Sequence, residues 1–160
     1  MSIALRFATP ADVPQILHFI RALGEYEHLS DKVVATEVDL HATLFGERRY
    51  AEVVFADCDG AVAGFALFFH NYSTFLAKPG IYLEDLFVDP AFRKQGVGAA
   101  LLGFLAKLAV KRGCGRLEWA ALHWNRLAID FYLQLGAVEL TEWKVFRLTG
   151  DALQRMANRS

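Results

Sequence analysis

Residues 81–102, IYLEDLFVDPAFRKQGVGAALL, decide how the rest of the chain is read. They run from an apolar strand through a basic, glycine-containing loop into a helix. Val88-Asp89-Pro90 ends the strand, because proline has no N–H to give to the ladder. From Val97 onward, Ala100, Leu101, Phe104, Leu105 and Leu108 recur with helical period, which predicts a helix over 97–112. The first N–H groups of that helix lack intrahelical acceptors and lie at the positive end of its dipole, so they suit an anion. Gly96 and Gly98 remove the Cβ atoms that would hold a phosphate away, and Arg93 and Lys94 add cationic donors. Gln95, Val97 and Ala99 complete the loop and the first helical turn. The expected guest is a nucleotide-type diphosphate.

What the stretch lacks narrows the guest further. No Gly-Lys-Ser/Thr closes the loop, so the lysine and metal-binding hydroxyl of a phosphoryl-transfer site are missing. Gly96 and Gly98 match the first two glycines of a dinucleotide fingerprint, but Leu101 fills the third position. Glu118, about twenty residues on, stands near the start of its strand rather than at its end.

Composition sets the frame. With 160 residues, 54% of them hydrophobic, the chain can bury one full core, and the length predicts a single domain over residues 1–160. A formal net charge of −1 argues against nucleic acid as a partner, since a phosphate backbone calls for a basic surface. The opening segment is interrupted by Arg6, Thr9, Pro10 and Asp12, so neither a leader nor a membrane span is expected, and the expected compartment is the cytoplasm. Cys58, Cys114 and five scattered histidines show no ligand spacing, so no metal is expected.

The flanking sequence supplies the remaining elements. Residues 3–8 read as a strand, with Thr9 and Pro10 opening a helix whose apolar face is Val13, Ile16, Leu17, Ile20 and Leu23. Tyr26 and Glu27 lie where the chain leaves that helix. Thr36 caps a second helix carrying Val38, Leu40 and Leu44. Runs 50–57 and 61–72 are strands joined at Asp57-Cys-Asp-Gly60, a hairpin composition. A strand over 116–122, a helix over 126–135, strands near 137–141 and 143–148 and a short helix after Asp151 complete the order. This alternation describes a mixed central sheet with helices on both faces, an α/β fold.

Five separate segments carry a family resemblance. Arg93-Lys-Gln-Gly96-Val-Gly98 resembles the coenzyme A loop of the GNAT N-acetyltransferases, Arg/Gln-x-x-Gly-x-Gly/Ala. WNRLAIDFYLQLGAVEL, from Trp124, resembles the Asn…Ala-x-x-Phe-Tyr…Leu-Gly-Ala segment of the same family. YEHL at Tyr26, YSTFLAKPGIYLEDLFV from Tyr72, and EW at Glu142 are similar to the branch that acetylates diamines (spermidine, spermine) and thialysine. The resemblance covers about residues 3–150 and implies the GNAT fold, acetyl-CoA as co-substrate, a small-molecule amine as acceptor, and a homodimer. It also implies that Leu86, Phe87 and Val88 offer backbone groups to the pantetheine arm, that Asn125 and Ala128 contact the coenzyme, and that Tyr132 protonates the leaving sulfur. Tyr26 and Glu27 match acceptor contacts of that branch. Lys94 departs from the family pattern, standing where a Gly often follows the loop's Arg, and Leu127 departs where many relatives have Pro.

The chemistry can be sought in the residues themselves. A primary amine with a pKa of about 10.4 is almost wholly protonated at neutral pH, so a carboxylate, directly or through water, must collect its proton. Glu84 is the candidate base, because a charge inside the apolar strand IYLEDLFV is costly unless solvated or paired. Asp85 is a candidate acceptor contact; either carboxylate also reads as a solvated residue on an open strand face. A phenol with a reference pKa of about 10 stays protonated, as the acid at Tyr132 must. Asn125 reads equally as a helix cap, and Tyr132 as core beside Phe131. Asn71 to Lys78 holds no acidic residue, which favours a small diamine or lysine-like amine over a long polycation. Two alternatives use the same residues: a non-catalytic acyl-CoA sensor, and transfer to a protein amine. Cys114 as an acyl-carrying nucleophile is a third, with no His beside it in sequence.

Overall fold

The computed structural model describes residues 2–159. Five strands, β1 (Ile3–Phe7), β2 (Glu52–Cys58), β3 (Ala61–Ser73), β4 (Lys78–Val88) and β5 (Leu117–Trp119), form one mixed sheet in the order β1-β2-β3-β4-β5. The first four are antiparallel neighbours, and β5 joins β4 in parallel. The helices are α1 (Val13–Tyr26), α2 (Glu37–Leu44), α3 (Val97–Lys111), α4 (Arg126–Gln134) and α5 (Gly150–Ala157). Residues 1–122 and 123–160 form two compact units. The sheet with α1, α2 and α3 belongs to the first, and α4 and α5 to the second.

The local signals act as read. Thr9 donates its N–H to Asp12 Oδ2 at 2.8 Å and opens a single turn at Pro10–Asp12 that leads into α1. Thr36 caps α2, accepting from the Asp39 N–H at 3.2 Å while Asp39 accepts from the Thr36 N–H. The β2–β3 hairpin turns at Asp59 and Gly60, both at positive φ, as a two-residue hairpin loop of type I′ requires.

One face of the sheet buries Val53, Phe55, Phe65 and Phe87 against Val13, Ile16 and Phe19 of α1. Phe19 is the anchor, its ring 5.4 Å from Phe65 and 5.7 Å from Phe87. Val54, Phe68, Ile81 and Leu83 are buried outside that cluster and face α3. Arg112, at the end of α3, lies over the Phe68 ring at 6.0 Å and donates to both Glu52 oxygens, which ties the helix to the sheet.

Three expectations need correction. Val38 is 78% exposed and does not share the α2 core face with Leu40 and Leu44. The strand expected over 116–122 pairs only at Leu117–Trp119. The strands expected near 137–141 and 143–148 do not form among the described residues: 140–143 is a turn, with Trp143 N–H donating to Leu140 O, and Val145 and Phe146 stay about 90% exposed. Strand composition favours an extended chain, but a strand exists only where a neighbour accepts its hydrogen bonds.

Candidate active site

The site begins at an irregularity in β4. Phe68 pairs with Leu83 and Leu67 with Asp85, so Glu84 is an extra residue with no partner on β3, a β-bulge. The bulge resets which face each side chain takes. Leu83 shares the α3 face with Phe68, whereas Asp85 joins Leu67 and Phe87 on the α1 face. Strict alternation along a regular strand would put Glu84 and Asp85 on opposite faces; the bulge instead leaves Glu84 exposed at the kink.

The same irregularity opens an edge. β5 follows β4 only as far as Leu83–Trp119, so β4 beyond Glu84 has no ladder on that side among the described residues. Asp89 N–H donates to Ala63 O at 2.7 Å, and the register puts Phe87 next in the set whose backbone faces β3. Leu86 and Val88 therefore direct their N–H and C=O groups to the open edge. Gly64 makes the close β3 approach possible, since a Cβ there would sit 2.6 Å from Phe87 O. An extended amide-bearing chain can pair with such an edge as an added strand does.

The anion loop follows immediately. Asp89 Oδ1 accepts from Ala91 N–H at 2.9 Å and sets the single turn Pro90–Phe92. Gly96 sits at φ +85° directly before α3, and the first helical bond is Ala100 N–H to Gly96 O at 2.9 Å. The N–H groups of Val97, Gly98 and Ala99 precede it and have no helical acceptor, as an anion cradle needs. Gln95 bonds back within the loop to Ala91 O at 3.5 Å. Lys94 adopts φ +60°, a conformation that costs a residue with a Cβ about 1–2 kcal/mol. Lys94→Gly is accordingly expected to raise stability by about 1 kcal/mol, some of the relief being offset by a freer unfolded chain. Removing its charge should also weaken binding of a diphosphate-bearing ligand at this loop about two- to fivefold at low salt, a loss that shrinks as salt is added. Thermal melts and titrations at two ionic strengths check both effects.

An acidic cluster faces the bulge. The carboxyl of Asp85 is pushed up to about 6, first by burial and then by the charges of Glu84 and Glu27. Burial and Glu84 likewise raise Glu27, which caps the end of α1 beside Tyr26. Tyr82 was not singled out by any motif, yet its phenol is raised by burial, by Glu84 and by Glu118. Glu118 stands opposite Tyr82 on β5 and accepts from Asn71 Nδ2 at 3.3 Å. Like charges so placed favour a cationic guest.

Among the sequence-predicted residues, Tyr26, Glu27, Glu84, Asp85, Leu86–Val88 and the loop 93–99 thus belong to one unit and one region. Asn125, Ala128 and Tyr132 belong to the second unit. There Asn125 takes the helix-cap position just before α4, at ψ +71°, its Oδ1 accepting from Ala128 N–H at 3.4 Å. Tyr132 lies within α4, half-buried, its ring 5.6 Å from Phe131. Cys58 is buried in β2, where burial raises its thiol, and Cys114 is a free thiol. No group of metal-ligating side chains occurs among the described residues, and none of their helices is long and apolar enough to cross a membrane.

A bulged strand, an open strand edge and a helix N-terminus behind a glycine loop are what the GNAT resemblance implies, the class of protein that binds a coenzyme thioester and transfers its acyl group. Comparison with known proteins agrees. The model of the Acetyltransferase (GNAT) family matches residues 19–137. An L-ornithine N5-acetyltransferase of Arabidopsis thaliana is 38% identical, over 94% of this chain and 86% of its own. The thialysine N-epsilon-acetyltransferase of Bos taurus is 38% identical over 98% of both chains. Among solved structures, an integron cassette protein from V. cholerae superposes with a TM-score of 0.84, at 28% identity over 99% of both chains. The chain belongs to the GNAT acetyltransferase family.

Proposed function

We propose that this protein moves an acetyl group from acetyl-CoA to a primary amine of a small molecule, a diamine or a lysine-like amino acid. The observation that carries the proposal is the bulge at Glu84, which sets an open backbone edge, an anion loop and a carboxylate cluster side by side. The names of the two relatives, both acting on amino acids with a distal amine, support the acceptor class.

In this reading the coenzyme's diphosphate rests on the N–H groups of residues 97–99 with Arg93 and Lys94 alongside. Its pantetheine amides pair with Leu86 and Val88, and an N–H of that edge stabilises the thioester oxygen as charge grows on it. Asp85 and Glu27 hold the cationic end of the acceptor. Glu84 takes the proton of the reacting amine, directly or through water; the amine nitrogen then bonds to the carbonyl carbon as the C–S bond breaks. Tyr132 gives its proton to the departing sulfur, and Asn125 and Ala128 contact the coenzyme. Residues 1–160 act as one domain, in the cytoplasm, where the two free thiols would remain reduced. A homodimer would cover apolar side chains of the second unit such as Val138, Val145 and Phe146, each more than 80% exposed.

Acetyl-CoA consumption across lysine analogues, ornithine, diamines, polyamines and peptides tests the proposal. Short amines with one distal charge should give the highest kcat/KM. Highest activity on spermine would overturn the acceptor class, activity on peptides alone would assign a protein substrate, and tight coenzyme binding without turnover would mark a sensor.

A further inference from the structure

Arg93 opens the anion loop, yet its side chain turns toward the other end of the site. Its Cζ lies 5.0 Å from the centre of the Tyr26 ring and 5.5 Å from that of Phe87. Its Nε donates to Val88 O at 3.0 Å. Tyr26 ends α1 on the acceptor side, whereas Phe87 and Val88 end the strand that borders the coenzyme edge. One planar cation thus touches both sides of the site at once, through ring faces and a carbonyl that a lysine could not engage in the same way.

We infer that Arg93 is a positioning residue that couples coenzyme binding to acceptor binding through Tyr26. The inference rests on the acetyl-transfer reading given above. An arginine side chain loses rotamer freedom when it binds an anion, and one already held by two rings and a carbonyl has less to lose. Tyr26 therefore contributes to coenzyme affinity although it lies outside the anion loop. Linkage makes the effect reciprocal: a coenzyme that fixes Arg93 also fixes the ring against which the amine is placed.

Calorimetric titration with coenzyme A, on the full chain, tests the coupling. Tyr26→Leu should weaken binding about two- to fivefold, the range of an exposed cation–π contact, and Tyr26→Phe, which keeps the ring, should restore it. In an Arg93→Met background Tyr26→Leu should cost nothing more. Arg93→Lys supplies an independent arm: at saturating acetyl-CoA, its KM for the amine should rise by a factor larger than any fall in kcat. An unchanged coenzyme Kd in Tyr26→Leu, an equal loss in both backgrounds, or an unchanged amine KM in Arg93→Lys would overturn the inference alone. A wild-type protein that gives no binding heat would overturn the acetyl-transfer reading and this inference with it.

Discussion

On the proposed acid role, replacing Tyr132 by Phe is expected to lower kcat by about 100-fold or more, the scale of a lost general acid, while the coenzyme Kd should stay within about twofold. The substitution keeps the ring and its 5.6 Å neighbour Phe131 and removes only the hydroxyl; circular dichroism and a thermal melt check that the fold is retained. Stopped-flow or end-point assay of thiol release gives kcat, and calorimetry gives the Kd. Equal losses in both would mean that Tyr132 holds the coenzyme rather than protonates its sulfur. Unchanged kcat would remove it from the reaction.

Asp85→Asn should raise the KM for the amine about 10- to 100-fold at pH 7.5, as expected when a charged hydrogen-bond partner is lost. The wild-type pH profile should carry the signature of this carboxyl. A bound ammonium favours the ionised form, so below the free value of about 6 binding must displace a proton. Amine affinity then falls by up to about tenfold per pH unit on acidification, and the Asn variant lacks that fall. Stability moves in the opposite sense. A carboxyl raised on folding stabilises the native state below its unfolded value, and this contribution is lost as pH rises through about 6. At pH 7 the Asn variant should consequently be more stable, by up to about 3 kcal/mol. Higher stability with weaker amine binding would separate a binding residue from a structural one. Glu84→Gln should instead reduce kcat at saturating amine, since its assigned proton is that of the reacting nitrogen.

The linear signals that proved reliable are those with a local cause. Pro90 ended β4, Gly96 took the left-handed conformation before α3, and Thr36 capped α2, each within a few residues of the group it governs. Lys94 shows the same logic in reverse: the position where the resembling family's pattern often places Gly has positive φ, and the lysine bears it. Val13, Ile16, Leu17 and Leu23 of the expected α1 face are buried because period and burial coincide there, but Ile20 is only partly covered and Phe19, the anchor of that core, lay outside the face read. By contrast, IYLEDLFV gives no hint of a bulge. Whether the extra residue falls at Glu84 depends on how Leu67 and Phe68 of another strand meet it. Gly64 and Tyr82 were invisible for the same reason, one defined by Phe87 O across the ladder, the other by Glu118 on β5.

By itself the sequence determined the α/β class, the glycine loop that opens α3 and the identity of the carboxylates, because strand ends, helix starts and charge are properties of neighbouring residues. Only the tertiary structure decided that Asp85 takes the α1 face, where burial and the charge of Glu27 act on it, that Leu86 and Val88 lie on an edge with no neighbouring strand among the described residues, and that Arg93 lies on Tyr26. It also left the apolar run after α4 without a ladder. The physical reason is common to all four: the partner that fixes each group, or fails to meet it, comes from a distant part of the chain, and hydrogen bonds and ring contacts act over a few ångströms of space regardless of separation in sequence.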